Sequence, residues 1–207
     1  YDSAKRYPLL IGMHGNGGNA DGFMVHYDHL DNSQFIYVTP EGQYPVSKNI
    51  GPQWHRRTWA FRSNDKASRI LADNLVTDYI LRTIDAVSMN HRVSDVYLMG
   101  FSEGAVYAYS IGLKHTVTVR GVIGFSGYLM DLNGDDSILS KQDLIEGKDL
   151  RLFIAHGIDD AAITLDEARQ VRDVFKTNGF DLTYLEFEGR HGVKADVFND
   201  AVAWMAQ

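Results

Sequence analysis

The chain has 207 residues, of which 44% are hydrophobic and 23% are charged, as in an ordinary soluble globular protein. Its formal net charge is −7 and no run of lysine and arginine is longer than a pair, which argues against nucleic acid or an anionic membrane surface as the main partner. The absence of cysteine excludes disulfides, thiolate catalysis and cysteine-ligated metals. No apolar run approaches the roughly 18 residues of a membrane-spanning helix.

The length predicts a single domain over residues 1–207, which would bury about 70% of the surface of the unfolded chain. No repeat, low-complexity tract or linker divides the sequence. Because it begins at Tyr1 and not at Met, we expect an upstream segment to have been removed. The soluble chain is therefore assigned neither to the cytoplasm nor to a secreted or periplasmic location, and its oligomeric state is left open.

The first third of the chain predicts two strands and a long loop. The apolar run at 9–13 predicts a buried strand, and the glycine-rich residues 14–19 follow it as a loop. A short helix is expected over 21–30 and a second strand over 34–39. Residues 41–64 form a long irregular stretch rich in aromatic side chains. Loops of this length in compact domains are usually either functional or disordered, and the aromatic content argues against disorder, so this one is expected to form a pocket wall.

The remainder predicts strands that alternate with helices. A long amphipathic helix is expected over 65–90, with Leu71, Leu75, Ile84 and Val87 on its buried face together with Tyr79 or Ile80. Further strands are predicted at 97–99, 121–126, 150–155 and 182–187, and further helices at 103–113, 163–178 and 193–205. This alternation predicts an α/β fold with a mostly parallel, doubly wound sheet of about six strands and no large lid.

The sequence Gly100-Phe101-Ser102-Glu103-Gly104 lies between a predicted buried strand and a predicted helix. Glycines on both sides of a serine permit a sharp strand-to-helix turn, which strains the serine backbone and raises its hydroxyl clear of the sheet. The Glu103 amide would then lie at a helix N-terminus, where a developing oxyanion is stabilised. The G-x-S-x-G pattern alone is only moderately specific for a catalytic serine. The strand before it, the helix after it and the candidate partners downstream make it more specific.

A serine nucleophile needs a base, and the base needs an orienting carboxylate. Asp160 follows the strand at 150–155, and His191 follows the strand at 182–187, so both are expected at the carboxyl edge of the sheet with Ser102. We predict Ser102 as nucleophile, His191 as general base and acid, and Asp160 as the carboxylate. The adjacent Asp159 is the alternative carboxylate, and one of the two aspartates would then be a helix N-cap. The alternative interpretation of His191 is a helix-start residue without a chemical role. His156 is expected to form a hydrogen bond with the loop backbone.

The loop after the first strand is expected to supply the second oxyanion donor, the amide of Asn16, beside that of Glu103. Trp54 and Trp59 of the aromatic stretch, together with Tyr128, are the predicted substrate-binding residues, and Phe61 is expected to line the same pocket. The sequence contains neither a P-loop nor a dinucleotide-binding glycine pattern. Asp131–Ile138 is similar to half of a calcium-binding loop, but Asp136 and Gln142 stand where glycine and glutamate are required. We therefore predict no metal site and no cofactor.

These motifs, together with His14-Gly15, Phe125-Ser126-Gly127-Tyr128 and Gly189-Arg190-His191-Gly192, resemble the α/β-hydrolase superfamily. More narrowly, the chain is similar to the small lid-less carboxylesterases of the phospholipase/carboxylesterase and acyl-protein thioesterase branch. The resemblance implies acyl transfer to water through a serine acyl-enzyme, without metal or organic cofactor. Its H-G-x-x-D register points to Asp160 over Asp159. The chain departs from the family at Glu103, where glutamine is usual.

The expected function is hydrolysis of small or short-acyl carboxylic esters, with a small-molecule ester as the substrate. Within the same class, the alternatives are a thioesterase, a polyester depolymerase, a feruloyl or acetyl-xylan type esterase, and a serine peptidase. The alternative from another class is a non-catalytic binding protein with a hydrolase fold. A missing triad residue would favour it, and the sequence lacks none of the three.

Overall fold

The computed structural model describes residues 2–29, 34–46, 55–129 and 138–207. Trp54 and nearly all of the acidic segment that is similar to a calcium-binding loop lie outside these ranges. The strands in chain order are β1 (Tyr7–Met13), β2 (Ile36–Val38), β3 (Tyr44–Pro45), β4 (Arg57–Thr58), β5 (Val93–Phe101), β6 (Gly121–Phe125), β7 (Arg151–Gly157) and β8 (Asp181–Phe187). The α-helices are α1 (Ala20–Met24), α2 (Lys66–Asn90), α3 (Glu103–Lys114), α4 (Lys141–Glu146), α5 (Leu165–Thr177) and α6 (Ala195–Met205).

Six of the strands form one sheet in the order β2-β1-β5-β6-β7-β8, and every neighbouring pair is parallel. Leu98 of β5 lies opposite both Ile11 of β1 and Val122 of β6, so the centre of the sheet is apolar. This sheet confirms the predicted α/β class and the doubly wound arrangement. In the described part of the 41–64 stretch, β3 and β4 pair as a short antiparallel hairpin that the sequence analysis treated as irregular.

The two faces of the sheet are covered by different helices, because side chains of a strand alternate between its faces. Leu9 and Ile11 of β1 point into a cluster with Val76 and Ile80 of α2, and this cluster also contains side chains of α3 and α5. Leu10 points into a second cluster on the opposite face, which includes residues of α1 and α6. Helices on both faces leave the carboxyl ends of the strands as the accessible edge.

Helix α2 begins after Asp65, whose carboxylate accepts a hydrogen bond from the Ser68 amide and caps the helix. Its buried residues recur every fourth position, and they are Ala72, Val76, Ile80 and Ile84. The prediction that Leu71 and Leu75 face inward is wrong, since these side chains are 60% and 49% exposed. The predicted first helix is also shorter than expected, because it continues after Met24 as a 3-10 helix, Val25–His29. No helix among the described residues is long and apolar enough to cross a membrane.

Candidate active site

Ser102 occupies the turn between β5 and α3. Its φ of 54° and ψ of −119° lie in a region that residues with a side chain rarely adopt, at a cost of about 1–3 kcal/mol. Hydrogen bonds hold this conformation: the Ser102 amide donates to the Phe125 carbonyl at 2.9 Å, and the Ala105 amide donates to the Ser102 carbonyl at 3.0 Å. The turn therefore has the strained geometry of a nucleophile elbow.

The two glycines of the elbow are required by contact with the backbone. A methyl group added at Gly100 would overlap the Ala105 amide nitrogen, and one added at Gly104 would overlap the Met13 carbonyl oxygen. Gly15, in the loop after β1, lies against the other side of the turn, because a methyl group there would be 3.3 Å from the Ser102 Cβ. The first loop and the elbow are thus packed directly on each other.

Asp160 and His191 form a hydrogen-bonded pair at the same edge of the sheet. The His191 Nδ1 lies 2.7 Å from the Asp160 Oδ2, and the Asp160 carboxylate is buried while the His191 side chain is 25% exposed. Asp159 is exposed, and the N-cap of α5 is Thr164, so neither aspartate caps that helix. This contact occupies Nδ1, and the second nitrogen of His191, Nε2, has no hydrogen-bond partner among the described residues.

The loops that carry this pair are joined to each other. The Asp159 amide donates to the Gly189 carbonyl at 2.9 Å, and the Ile158 amide donates to the Phe187 carbonyl at 2.9 Å. Gly157 is packed so closely that an added methyl group would lie 2.5 Å from the carbonyl oxygens of Gly189 and Arg190. The separation of Asp160 from His191 is consequently set by the backbone.

The environment of Asp160 favours its charged form. Burial raises the pKa of this carboxyl, but the Ile163 amide, the His191 ring and the Ala162 amide donate hydrogen bonds that bring the pKa below its usual value. His156 is fully buried, and its Nε2 lies 2.9 Å from the Ile163 carbonyl and 3.3 Å from the Asp160 Oδ2. As predicted, His156 binds the loop backbone, and it also contacts the carboxylate that orients His191.

Ser102 and His191 lie on neighbouring loops, but no hydrogen bond joins the serine hydroxyl to the imidazole among the described residues. The ring of Phe101, next to Ser102, packs against the His191 ring with centroids 4.8 Å apart. Nucleophile–base hydrogen bonds are often long in ligand-free enzymes and tighten when substrate binds. The arrangement places a polarised imidazole beside the elbow.

The loop after β1 is held by His14, a residue to which the sequence analysis gave no role. The Gly42 amide donates to the His14 Nε2 at 2.9 Å, so the proton is on Nδ1, which donates to the Gly15 carbonyl at 2.8 Å. Burial lowers the pKa of His14 and keeps the ring neutral. The position of His14 between an apolar strand and a glycine-rich loop was the feature of the sequence that could have indicated this role.

Asn16 follows in the same loop, and its side chain points toward the elbow. Its Nδ2 donates to the Glu103 Oε1 at 3.0 Å and lies 3.3 Å from the Thr58 Oγ1. Within the described ranges, the backbone amides of Asn16 and Glu103 donate to no acceptor in the chain. Neither amide is therefore committed to another group in the described part of the chain.

A cavity of about 630 Å³ lies beside the elbow. Two of the residues proposed for substrate contact from the sequence, Phe61 and Tyr128, line it, and so does Glu103. Burial, and then the charge of Glu103, raise the pKa of Tyr128, so its hydroxyl is a neutral donor at pH 7. Charged side chains are also present on its wall, namely Arg62, Arg69 and Asp73. Ser102, Asp160 and His191 are not among its lining residues.

The prediction that Trp59 binds substrate is wrong, because its side chain has no exposed surface. It is part of the apolar core, and its Nε1 donates to the His14 carbonyl at 2.8 Å. Trp54, the other predicted tryptophan, lies outside the described residues. In the part of the chain that the structure describes, no cluster of three or more histidine and carboxylate side chains is arranged to hold a metal ion.

The chain is similar to known proteins in sequence and in fold. The family model described as phospholipase/carboxylesterase matches residues 2–206. Acyl-protein thioesterase 1 of Yarrowia lipolytica is 24% identical over 218 residues, which cover 99% of this chain and 93% of that protein. The crystal structure of Zea mays acyl-protein thioesterase 2 has a TM-score of 0.73 at 17% identity and covers 97% of this chain and 93% of its own. The Bacillus cereus carboxylesterase has a TM-score of 0.68 at 16% identity, with 99% and 89% covered. At these identities the structural likeness concerns the fold.

Proposed function

Because the chain belongs to the phospholipase/carboxylesterase family, we propose that it hydrolyses small or short-acyl carboxylic esters through a Ser102–His191–Asp160 triad. The observation that carries this proposal is the 2.7 Å contact between His191 and the buried Asp160 carboxylate, at the sheet edge where Ser102 stands in its strained turn. This contact fixes the imidazole orientation and tautomer that a serine nucleophile requires.

The reaction follows from these positions. The Ser102 Oγ attacks the ester carbonyl carbon while its proton passes to the His191 Nε2, and the charge on the imidazolium is stabilised by Asp160. The carbonyl oxygen becomes an oxyanion that accepts hydrogen bonds from the amides of Glu103 and Asn16. His191 then protonates the departing alcohol, which leaves an acyl-enzyme. Water, deprotonated by His191, attacks this intermediate, and His191 then returns the proton to the Ser102 oxygen as the acyl–oxygen bond breaks, which releases the acid and free Ser102.

The cavity beside the elbow supports a short or polar acyl group. A long alkyl chain in it would displace water from Arg62, Arg69 and Asp73, and burying charged groups against hydrocarbon is unfavourable. Tyr128 and Phe61 provide a smaller apolar surface on the same wall. We infer that these two residues contact the substrate.

Thioester hydrolysis is the second candidate, since relatives of this chain carry the name acyl-protein thioesterase. The same nucleophile, base and oxyanion donors act on both ester types. The leaving group is then a thiol, which departs without needing as much protonation as an alcohol. Only a direct comparison of matched substrates separates the two activities.

The test is hydrolysis of p-nitrophenyl esters from acetate to dodecanoate, with the corresponding acyl thioesters, by wild type and Ser102→Ala. We expect kcat/KM to be highest for short esters and the Ser102→Ala variant to lose activity by about 10⁴-fold or more. Tyr97→Phe, which removes a buried hydrogen bond to the Met205 carbonyl on the opposite face of the sheet, is the control for a general effect of mutation. Equal, negligible activity of folded wild type and Ser102→Ala would instead favour a binding protein.

A further inference from the structure

We propose that the Glu103 side chain is a positioning residue, which holds the two amides of the oxyanion hole at a fixed separation. The inference rests on the proposed function, because it concerns donors that act on the reacting carbonyl. Glu103 supplies one of these amides from its own backbone. Its carboxylate binds the side chain of Asn16, which supplies the other.

The carboxylate is turned into the protein and is surrounded by neutral donors. Glu103 is only 8% exposed, and the Thr58 hydroxyl lies 2.8 Å from its Oε1 and 2.7 Å from its Oε2. The Trp59 amide donates to Oε2 at 2.9 Å, and the Asn16 Nδ2 donates to Oε1 at 3.0 Å. Among the described residues, no lysine, arginine or histidine forms a salt bridge with it. Both oxygens therefore act as hydrogen-bond acceptors for the surrounding loops.

These donors come from two segments that are distant from Glu103 in sequence. Asn16 belongs to the loop after β1, and Thr58 and Trp59 belong to the end of the β3–β4 hairpin and the residue after it. The two segments are also joined directly, because the Gly17 amide donates to the Arg57 carbonyl at 2.7 Å. The Trp59 Nε1 closes the arrangement by donating to the His14 carbonyl. Glu103 thus anchors the first loop and the hairpin to the start of α3.

A carboxylate suits this position better than an amide. Hydrogen bonds with an ionised acceptor are shorter and roughly twice as strong as those between neutral groups. The Thr58 hydroxyl can only donate to Glu103. Its oxygen accepts a hydrogen bond from the Ala60 amide at 3.2 Å and lies 3.3 Å from the Asn16 Nδ2, so its proton faces the carboxylate. A glutamine would direct its NH₂ group at either the Trp59 amide or the Asn16 NH₂, and only the Asn16 amide can rotate to accept from it. Glu103→Gln therefore keeps part of the network, and Glu103→Ala loses all of it.

The test compares Glu103→Ala and Glu103→Gln with wild type, with Tyr97→Phe as the control for loss of a buried hydrogen bond elsewhere. Steady-state kinetics with p-nitrophenyl butyrate give kcat and KM. Affinity for a trifluoromethyl ketone, which forms a tetrahedral serine adduct with an oxyanion, reports on the donors themselves. We expect Glu103→Ala to lower kcat by about 10²-fold with KM changed less than about threefold, and to weaken the ketone by a similar factor. Glu103→Gln should recover about tenfold of this loss.

Thr58→Val and Thr58→Ser provide a second pair in case Glu103→Ala does not fold. Thr58→Ser retains the hydroxyl and should behave as wild type, whereas Thr58→Val should lower kcat and ketone affinity together. The proposal is overturned if the Glu103 and Thr58 variants match Tyr97→Phe, or if kcat falls while ketone affinity does not. If wild type hydrolyses the ester and these variants match Tyr97→Phe, only this inference is wrong. If wild type does not hydrolyse the ester, the proposed function is wrong as well.

Discussion

At the scale of single residues, the backbone of Ser102 is strained and the packing around it keeps the strain in place. Gly104 is the residue on which this packing depends, because it lies against the carbonyl groups at the end of β1. Backbone atoms cannot move aside as the end of a flexible side chain can. The elbow therefore tolerates no side chain at this position.

Gly104→Ala should lower the free energy of unfolding by about 3 kcal/mol or more, since the added methyl group would overlap the Met13 and His14 carbonyls. Urea unfolding followed by circular dichroism measures this loss. Gly192→Ala is the matched control, because its methyl group meets no atom within 4 Å, and its stability should stay within about 0.5 kcal/mol of wild type. Equal effects of the two substitutions would contradict the packing described.

A pH dependence follows from His14. Burial lowers its pKa below the ordinary value of 6.5, so below about pH 6.5 the folded protein binds fewer protons than the unfolded chain. Stability contributed by the neutral ring is therefore present above pH 6.5 and is lost as the pH falls toward the folded-state pKa. The lowered pKa of Asp160 reduces the stability of the folded protein only below about pH 4, because the ordinary pKa of aspartate is 3.8.

Replacing His14 by Gln, which keeps an acceptor for the Gly42 amide, should flatten this profile. Between pH 7.5 and 5.5 the unfolding free energy of wild type should fall by more than that of His14→Gln. The comparison also removes the contribution of His115, whose pKa is likewise lowered by burial. Parallel pH profiles for the two proteins would show that His14 does not carry the effect.

The sequence was sufficient for local features of the site and insufficient for its long-range contacts. The need for Gly100 and Gly104 followed from the turn they flank, and the structure supplies the clashing atoms. The partners of the Glu103 carboxylate did not follow, because Asn16 and Thr58 are 87 and 45 residues away in the chain. The sequence also did not predict the burial of Trp59, since an irregular segment has no periodicity that distinguishes a core-facing aromatic side chain from a pocket-facing one.

At the scale of elements, α2 is the case in which the pattern indicated the right structure and only part of the buried face, since Ile80 and Ile84 are buried whereas Leu71 and Leu75 are exposed. Apolar residues occupy two adjacent stripes of this helix, one with Leu71 and Leu75 and one with Val76 and Ile80. Both stripes have helical spacing, so spacing alone does not choose between them. The stripe with the β-branched residues packs on the sheet, against Leu9 and Ile11 of β1.

This packing makes a prediction that separates the stripes. Ile80→Ala should destabilise the protein by about 2–4 kcal/mol, because the side chain is fully buried. Leu75→Ala, a truncation of the same size on the exposed stripe, should cost less than about 1 kcal/mol. The two variants are compared by the midpoint of urea unfolding. A larger loss from Leu75→Ala would contradict the assignment of Leu75 to the exposed stripe.

At the scale of the whole molecule, the first and last elements share one core. Leu10 of β1 and Phe23 of α1 belong to the same cluster as Phe198 and Trp204 of α6. One sheet, which extends from β2 to β8 at its edges, contains both the first strand and the last strand, so neither end of the chain is independent of the other. These contacts support the proposal of a single domain.

A single domain should unfold in one cooperative transition. Far-UV circular dichroism reports on the backbone, whereas tryptophan fluorescence reports on the three tryptophans, of which Trp59 and Trp204 are buried in different clusters. We expect the two signals to give the same urea midpoint and a calorimetric enthalpy equal to the van't Hoff enthalpy. Two separate transitions would contradict the single-domain proposal.

The central claim is that Ser102 is a nucleophile activated by His191, and covalent labelling tests it most directly. A fluorophosphonate reacts when a serine oxygen attacks phosphorus and expels fluoride, so intact mass and peptide mapping report both stoichiometry and position. The account predicts one label per chain, on Ser102, with labelling strongly slowed in His191→Ala and abolished in Ser102→Ala. A label on another residue, or folded wild type that stays unlabelled, would contradict it.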